Sequence, residues 1–432
     1  MGKLSFLKSK ESRNAGWMIG GKVAQMVLSL LVGVITARYL GPGNYGLVTY
    51  GAAWVAFFTA FSSLGTNSVV VKEFIDHPDA QGETIGSVLL LRLAASLLSV
   101  ALIFLMVFVV DHGEKLTITV VLLCSLGLVF HIFETFNYWF QAQYKSKITA
   151  MATLAAYIGM SAYKIILLMQ GKDVRWFAFA TSVDYIVVAV FLWIAYKRHG
   201  GTPLRFSFQR AKAILGSSYH YILSGMMVAI YGQTDKLMLK QMLNESEVAY
   251  YSVAVAICGM WTFVLKAIID ALYPTIIRLH GKDQKAFEQK NRLLYAIVFY
   301  VSMLVSVAFL VLGDFGVRLL YGADYASAGS VLKVITWYTA FSYLGVARNA
   351  WIVSEGKQKY LKYMYFGAAI LNVVLNYVCI PVWGAVGAAI ASLTTQVFTS
   401  IILPMFFKEM RPNANLMIEA ILLKNVFKSE EK

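Results

Sequence analysis

The sequence predicts an all-α integral membrane protein. Of its 432 residues, 59% are hydrophobic and 14% are charged, and the mean hydropathy is +0.64, whereas soluble domains carry about 25% charged residues. Apolar stretches of about 20 residues, long enough to cross the hydrocarbon layer, recur between charge clusters. They are continuously apolar and do not alternate every second residue, which excludes a β-barrel.

Twelve transmembrane helices are predicted in order along the chain. Each is an apolar run bounded by charged or turn-forming residues, and several contain Gly or Pro, which membrane helices tolerate where neighbouring groups satisfy the backbone. The predicted spans are 15–37, 46–70, 85–110, 117–138, 148–169, 176–196, 215–238, 249–274, 293–313, 329–354, 360–381 and 384–407.

The distribution of Lys and Arg predicts that both termini are cytoplasmic. Short cytoplasmic loops carry the excess of basic residues, and every second loop of this chain is basic. The net charge of +15 therefore reflects this bias and attraction to anionic lipid headgroups, and no nucleic-acid partner is predicted. The basic segments are 3–13, 145–147, 197–212, 278–292 and 357–362.

An internal repeat relates the two halves of the chain. Asn137, Trp139, Lys145 and Lys147 recur 212 positions later, each at the cytoplasmic end of an even-numbered span, and AFATS at 178–182 resembles AIASL at 389–393. Both halves would start on the same side of the membrane, as in transporters built from parallel repeats. The second copy comprises Asn349, Trp351, Lys357 and Lys359.

The repeat predicts a domain organisation of two parallel six-helix bundles around a central cavity. The N-terminal bundle covers 1–196 and the C-terminal bundle 215–407, joined by a cytoplasmic linker, 197–214. Residues 408–432 form a cytoplasmic tail whose apolar segment is too short to span and is predicted to lie on the inner surface as an interfacial helix. Removing this tail is expected to leave transport nearly intact.

Three segments carry a resemblance to a known family. They are ARYLGPGNYG at 37–46, LGTNSVVVKEF at 64–74 and TDKLMLKQMLNESEVAYYSVA at 234–254. The chain resembles the polysaccharide-flippase branch of the multidrug/oligosaccharidyl-lipid/polysaccharide exporter superfamily, which contains the O-antigen and capsule repeat-unit flippases. It departs from the usual pattern at Lys240 and Ala249, where Gly is common.

The resemblance implies a transporter of the bacterial cytoplasmic (inner) membrane. Its substrate would be a polyprenyl-pyrophosphate-linked oligosaccharide, moved from the inner to the outer leaflet by alternating access for O-antigen or capsule biosynthesis. Membrane lipids, a coupling ion (H⁺ or Na⁺) and other polysaccharide-assembly membrane proteins are the further partners implied. The sugar composition, the coupling ion and the oligomeric state cannot be read from the sequence.

Basic residues within the spans are candidates for binding the pyrophosphate. A charge at mid-span costs about 2.5–3.5 kcal/mol on insertion scales, and Arg suits bidentate phosphate contacts. Lys22 lies on the first span, which lines the cavity in the resembled family. For Arg92 and Arg348 the alternative is snorkelling to the inner headgroups. The predicted substrate-binding residues are Lys22, Arg92, Lys266 and Arg348.

Acidic residues and one histidine within the spans are candidates for gating or ion coupling. Asp270 lies one helical turn after Lys266, so the two form either a self-neutralising pair or a gate. His131 and Glu134, three apart, could relay a proton or make a helix contact, and Asp184 is a similar case. Asp235 near the outer end of span seven is interpreted as interfacial or structural.

Three other functions were weighed against the flippase. An ion-coupled multidrug or organic-cation antiporter of the same superfamily is the main alternative, although five bases against four acids in the spans favour an anionic substrate. A membrane-embedded polymerase would be expected to have a larger external domain. A membrane-embedded acyltransferase would need more catalytic groups than the buried His131. No phosphate-binding loop is present, and we predict no enzyme activity, cofactor or metal site.

Overall fold

The chain folds into helices throughout the range that the structure describes. A computed structural model describes residues 10–426, with side chains from residue 20 onward except those of residues 22, 23, 68 and 224. All regular elements in this range are helical, which confirms the all-α class. Eight of these helices are long and apolar enough to cross a membrane, and one bent pair makes a ninth.

The predicted twelve spans are roughly consistent with this architecture. Helix α1, Lys10–Ser62, is interrupted at Gly41, and a helix near the C-terminus, Leu361–Val397, is interrupted at Gly384; both glycines have non-helical φ/ψ. Each of these two long helices therefore covers two predicted spans. The bent pair, Glu245–Gly259 and Thr262–Leu279, corresponds to the predicted span 249–274.

Contacts divide the chain into two compact units, Met1–Gln233 and Thr234–Lys432. The division falls inside the helix Phe208–Met242, whereas the sequence predicted a linker at 197–214. The domain boundaries given above therefore stay a prediction. Below, the N-terminal unit and the C-terminal unit are described separately.

The N-terminal unit consists of α1, a series of shorter helices and the beginning of α9. Helix α1 packs against α4 and α7, and α8 packs against α4 and α7. Aromatic side chains of α6 and α8, including Trp139 and Tyr196, form its buried core. The helices after α1 are α2 (Asn67–Asp76), α3 (Gln81–Val110), α4 (Lys115–Ser125), α5 (Gly127–His131), α6 (Thr135–Ala142), α7 (Ser146–Met169), α8 (Val174–Arg198) and α9 (Phe208–Met242).

Residues of the predicted linker are bonded to α3. The Arg205 amide donates to the Gly82 carbonyl (3.1 Å), and the Ser207 amide donates to Ser87 Oγ (3.0 Å). A Cβ atom on Gly86 would lie 2.2 Å from the Arg205 carbonyl oxygen, so this close approach of two backbones requires glycine. The segment before α9 is thus fixed to the N-terminal unit.

The C-terminal unit begins within α9 and is centred on the long helix α12. Helix α12 packs against α13, and α13 packs against α10 and α15. Its core includes Tyr295 and Trp351. The helices are α10 (Glu245–Gly259), α11 (Thr262–Leu279), α12 (Gln284–Tyr321), α13 (Ala326–Ala347), α14 (Asn349–Ser354), α15 (Leu361–Val397), α16 (Leu403–Met405) and α17 (Arg411–Ile421); a π-helix, Phe398–Ile402, follows α15.

The predicted interfacial tail contains helix α17, which packs on α12. Buried Asn413 donates to the Tyr295 hydroxyl (2.7 Å), and Arg292 Nε pairs with Glu419 Oε2 (2.7 Å). Ahead of α17, Lys357 Nζ lies 2.7 Å from Glu409 Oε2, a hydrogen bond that raises the pKa of Lys357 and lowers that of Glu409. These contacts make α17 part of the C-terminal unit.

The two copies of the sequence repeat end in the same backbone conformation. In the first copy the Lys145 amide donates to the Phe140 carbonyl, and in the second the Lys357 amide donates to the Ile352 carbonyl, both at 2.9 Å. This is the hydrogen bond of a Schellman cap, which needs a left-handed residue just before the donor. That residue is Tyr144 (φ 57°) in one copy and Gly356 (φ 65°) in the other.

The two caps predict opposite effects of substitution. Tyr144 is 59% exposed, so Tyr144→Gly removes backbone strain of about 1 kcal/mol or more at little packing cost. Gly356→Ala introduces strain in the equivalent turn. We expect a higher melting temperature for Tyr144→Gly and a lower one for Gly356→Ala, measured on purified protein in one detergent. Shifts of the same sign would contradict the equivalence of the two caps.

The contacts of α17 predict that the tail stabilises the protein. A chain that ends at Lys408 loses the partners of Tyr295, Arg292 and Lys357 and exposes the apolar surface that α17 covers. We expect a lower melting temperature and less monodisperse protein in size-exclusion chromatography. A chain that ends at Val426, which keeps α17, is the control. Unchanged stability of the shorter chain would support the earlier expectation that the tail is dispensable.

Candidate functional site

A polar cavity of about 480 Å³ lies inside the N-terminal unit. Its walls come from α1, the segment from α5 to α6, and helices α7 and α8. We call it the N-unit cavity. Polar groups at membrane depth are tolerated where they line such a cavity or are buried in protein. The polar residues that line it are Gln25, His131, Glu134, Asn137, Ser146, Thr149, Thr153, Tyr157, Thr181, Asp184 and Tyr185.

Three threonine hydroxyls in the cavity wall donate to their own helix backbone. Thr149 Oγ1 donates to the Ser146 carbonyl (3.1 Å), Thr153 Oγ1 to the Thr149 carbonyl (2.7 Å) and Thr181 Oγ1 to the Ala178 carbonyl (2.7 Å). A hydroxyl has one hydrogen and two lone pairs. Because the hydrogen is used within the helix, each hydroxyl offers the cavity an acceptor.

Two of the predicted coupling residues, His131 and Glu134, form a pair in the cavity wall. His131 Nε2 lies 3.0 Å from Glu134 Oε2, and the His131 ring packs edge-on against Tyr185. A 3₁₀ turn, Ile132–Glu134, joins α5 to α6. Residues three apart lie on the same side of such a turn, which brings the two side chains together. The pair places an imidazole nitrogen and a carboxylate oxygen together in the cavity wall.

Asp184, another predicted coupling residue, is paired with Lys164. Lys164 Nζ on α7 lies 2.7 Å from Asp184 Oδ2 on α8, and both side chains are about one-fifth exposed. The pair neutralises two charges that would be costly when separated in this environment. Asp184 Oδ1 has no partner among the described side chains and remains an acceptor on the cavity wall.

Arg92 is 1% exposed and does not line the N-unit cavity. Its guanidinium donates to Thr66 Oγ1 (2.7 and 3.0 Å), to Asn67 Oδ1 (2.7 Å) and to Thr135 Oγ1 (3.4 Å), and it lies over the Tyr138 ring. These bonds join the start of α2 to α3 and α6. A substrate contact by Arg92 stays a prediction.

Arg348 is also buried, in the C-terminal unit. Its Nη1 donates to the Ser400 carbonyl (3.2 Å) and more weakly to that of Thr399 (3.5 Å), both in the π-helix after α15. A π-helix displaces backbone carbonyls from the regular hydrogen-bonding pattern, and Arg348 satisfies them. Its Nε has no partner in the described part of the chain, and its role toward substrate likewise stays a prediction.

The remaining predicted site residues lie elsewhere. Lys266 and Asp270 form the expected pair on α11, with Lys266 Nζ 2.5 Å from Asp270 Oδ1, and both side chains are more than half exposed on the C-terminal unit. Lys22 lies on α1, but its side chain is outside the described residues. Neither observation tests a substrate contact.

A buried carboxylate in the C-terminal unit was not selected from the sequence. Asp235 is 4% exposed, and its carboxylate accepts hydrogen bonds from four neutral side chains of α10 and α15. Asn372 and Asn376 donate to Oδ1 (3.1 and 2.6 Å) and Ser392 to Oδ2 (2.6 Å); the Tyr251 hydroxyl also donates to Oδ2. This set is called the Asp235 cluster.

The Asp235 cluster holds a buried carboxylate through hydrogen bonds from neutral groups, which offset part of the cost of burying the charge. The carbonyl oxygen of Asn376 is buried without a partner among the described residues. Lys236, next in the chain, interacts electrostatically with Asp235 but makes no ion pair with it within the described range. The sequence signal was available, since two Asn residues four apart interrupt an otherwise apolar span.

Family models and curated relatives match the chain at different lengths. The model described as polysaccharide biosynthesis protein matches residues 12–280, and the MatE model matches residues 221–378. A protein named as an O-antigen transporter from Shigella dysenteriae is 21% identical over 60% of this chain and 65% of its own length, so slightly less than two thirds of it is covered. The capsular polysaccharide biosynthesis protein CapF from Staphylococcus aureus is 19% identical over 91% of this chain and 98% of that protein.

Solved structures of transporters share the fold. The lipid II flippase MurJ, in an inward closed conformation, has a TM-score of 0.74 at 12% identity, over 94% of this chain and 91% of that one. An inward-facing multidrug resistance transporter of the MATE family has a TM-score of 0.68 at 17% identity, over 90% and 95%. Together with the match over residues 12–280, these findings show that the chain belongs to the polysaccharide biosynthesis protein family, in the polysaccharide-flippase branch of the multidrug/oligosaccharidyl-lipid/polysaccharide exporter superfamily.

Proposed function

We propose that the protein is a flippase that moves a polyprenyl-pyrophosphate-linked oligosaccharide from the inner to the outer leaflet of the bacterial cytoplasmic membrane. The polyprenyl tail can stay in lipid, whereas the sugars and pyrophosphate must pass about 30 Å of hydrocarbon. The observation that carries the proposal is the N-unit cavity, a polar pocket within an apolar helical unit of this family. Transfer without covalent chemistry fits a transporter and not an enzyme.

The pyrophosphate contacts are assigned to basic residues predicted from the sequence. The guanidinium groups of Arg92 and Arg348 are already bonded to neighbouring groups, so Lys22 and Lys266 are the better candidates among the four predicted residues. The exposure of Lys266 supports this role, because an incoming phosphate could reach its ammonium group and compete with Asp270 for it. Gating by the Lys266–Asp270 pair follows from the same competition.

Coupling to an ion is assigned to the Asp235 cluster. The acids predicted from the sequence, Glu134, Asp184 and Asp270, each have a basic partner in contact. Asp235 is instead bonded by neutral donors in the described range, so its charge is not balanced by a basic side chain in contact, and a coupling ion that reached it would change the net charge of this buried site. Uptake of H⁺ or Na⁺ at Asp235 would then favour one conformation of the transporter.

An ion-coupled multidrug antiporter is the second candidate function. Two observations favour it: the MatE model matches residues 221–378, and the N-unit cavity presents the carboxylates of Glu134 and Asp184. Carboxylates attract organic cations. The family match over the longer range, 12–280, supports the flippase.

Deleting the gene in its native host tests the proposed function. A flippase deletion should abolish surface polysaccharide and leave completed lipid-linked repeat units on the cytoplasmic side, because the outer-leaflet polymerising steps lose their substrate. Leaflet-sensitive labelling of extracted repeat units measures this, and plasmid-borne wild type is the control. Unchanged polysaccharide together with altered resistance to cationic drugs would instead identify the antiporter.

Replacing Asp235 tests the coupling site. Asp235→Asn keeps the shape and removes the charge, so transport in the complemented strain should lose its response to the H⁺ or Na⁺ gradient. The control is Asp314→Asn, which removes an exposed carboxylate paired with Lys333 in the same unit. We would measure repeat-unit labelling after collapsing each gradient separately. A variant that keeps the wild-type gradient response would exclude Asp235 as the coupling residue.

A further inference from the structure

We propose that the N-unit cavity is a subsite for uncharged, hydroxyl-rich sugar residues and that it rejects the anionic parts of a glycolipid. The physiological meaning of this inference rests on the proposed flippase function.

Five side chains of the cavity wall act as acceptors, alongside the amide and phenol donors of Gln25, Asn137, Tyr157 and Tyr185. The hydroxyl hydrogens of Thr149, Thr153 and Thr181 are used by their own helices, which leaves oxygen lone pairs toward the cavity. Two carboxylates, Glu134 and Asp184, add negatively charged acceptors. A ligand that satisfies this wall must itself bring many N–H or O–H groups.

The charge of the wall excludes anions. Among the lining residues whose side chains the structure describes, His131 is the one basic residue, and it is paired with Glu134. Lys164 is paired with Asp184 and does not line the cavity. A pyrophosphate or a uronate carboxylate placed here would face the carboxylate oxygens and several lone pairs, and the described bases near them, His131 and Lys164, are already paired with Glu134 and Asp184. Like charges brought together in a low-dielectric site repel strongly.

The remaining lining groups suit a sugar ring. Tyr157, Tyr185, Phe130 and Phe133 supply flat apolar surfaces, against which the C–H face of a pyranose can pack, while Asn137 supplies an amide with both donors and an acceptor. The cavity volume of about 480 Å³ lies in the range of small-molecule sites. Hydroxyl and acetamido groups supply the donors that the threonines and carboxylates lack.

A binding experiment on the purified full-length protein in nanodiscs tests the inference. The neutral probes are diacetylchitobiose, lactose and maltose; the anionic probes are a glucuronate-containing hyaluronan disaccharide and inorganic pyrophosphate; the cationic probe is tetraphenylphosphonium. We expect at least one neutral disaccharide to bind, and each anionic probe to bind about tenfold more weakly or not at all. Isothermal titration calorimetry measures the affinities.

Matched threonine variants locate the binding. Thr153→Val and Thr181→Val keep the side-chain shape but remove the acceptor, and each should weaken neutral-sugar binding about threefold to tenfold. The control is Thr119→Val: Thr119 Oγ1 also donates to the carbonyl four residues earlier (2.7 Å), but it lies on α4 away from the cavity. Melting temperatures of all three variants check that the fold is intact.

Several outcomes would overturn the inference. They are no sugar binding across the neutral panel, binding of an anionic probe as tight as that of the neutral sugars, an equal loss in Thr119→Val, or tetraphenylphosphonium binding that alone responds to Thr153→Val. The gene deletion separates this result from the proposed function. Lost surface polysaccharide without sugar binding at this cavity would leave the flippase standing and place sugar recognition elsewhere.

Discussion

Hydrocarbon offers no hydrogen-bond partner, and this constraint shapes the whole chain. Backbone groups are satisfied within helices, and each buried ionisable side chain needs a partner in the protein. Arg92 is bonded to Thr66, Asn67 and Thr135, and Arg348 to carbonyls of the π-helix. These guanidinium groups therefore join helices together, and the cost of their burial is offset by contacts that fix the fold.

The two units use the same constraint to build sites of opposite character. In the N-terminal unit three threonine hydroxyls donate to backbone carbonyls, so their oxygens act as acceptors toward the cavity. In the C-terminal unit four neutral donors surround one carboxylate, that of Asp235. The first arrangement suits a ligand that brings donors, and the second stabilises a buried negative charge.

The two copies of the repeat share a helix-cap conformation and a buried tryptophan, but the polar sites of the two units differ. Tyr144 and Gly356 occupy the same left-handed position in equivalent helix caps, and Trp139 and Trp351 are both buried in the core of their units. The anchoring role that tryptophan has at membrane interfaces does not apply to this pair. By contrast, the cavity with its threonine acceptors lies in the N-terminal unit, and the Asp235 cluster lies in the C-terminal unit.

The sequence by itself determined the membrane-spanning all-α class, the spans and the superfamily, because long apolar runs and short motifs are local properties. It also predicted the pairing of His131 with Glu134 and of Lys266 with Asp270, since residues three or four apart share a helix face. It could not determine that Lys164 meets Asp184, that Arg92 is turned toward Thr66, or that Asn372, Asn376 and Ser392 converge on Asp235. Those contacts join residues 20 to 157 positions apart, and only the packing of helices decides which polar groups meet and which face a cavity.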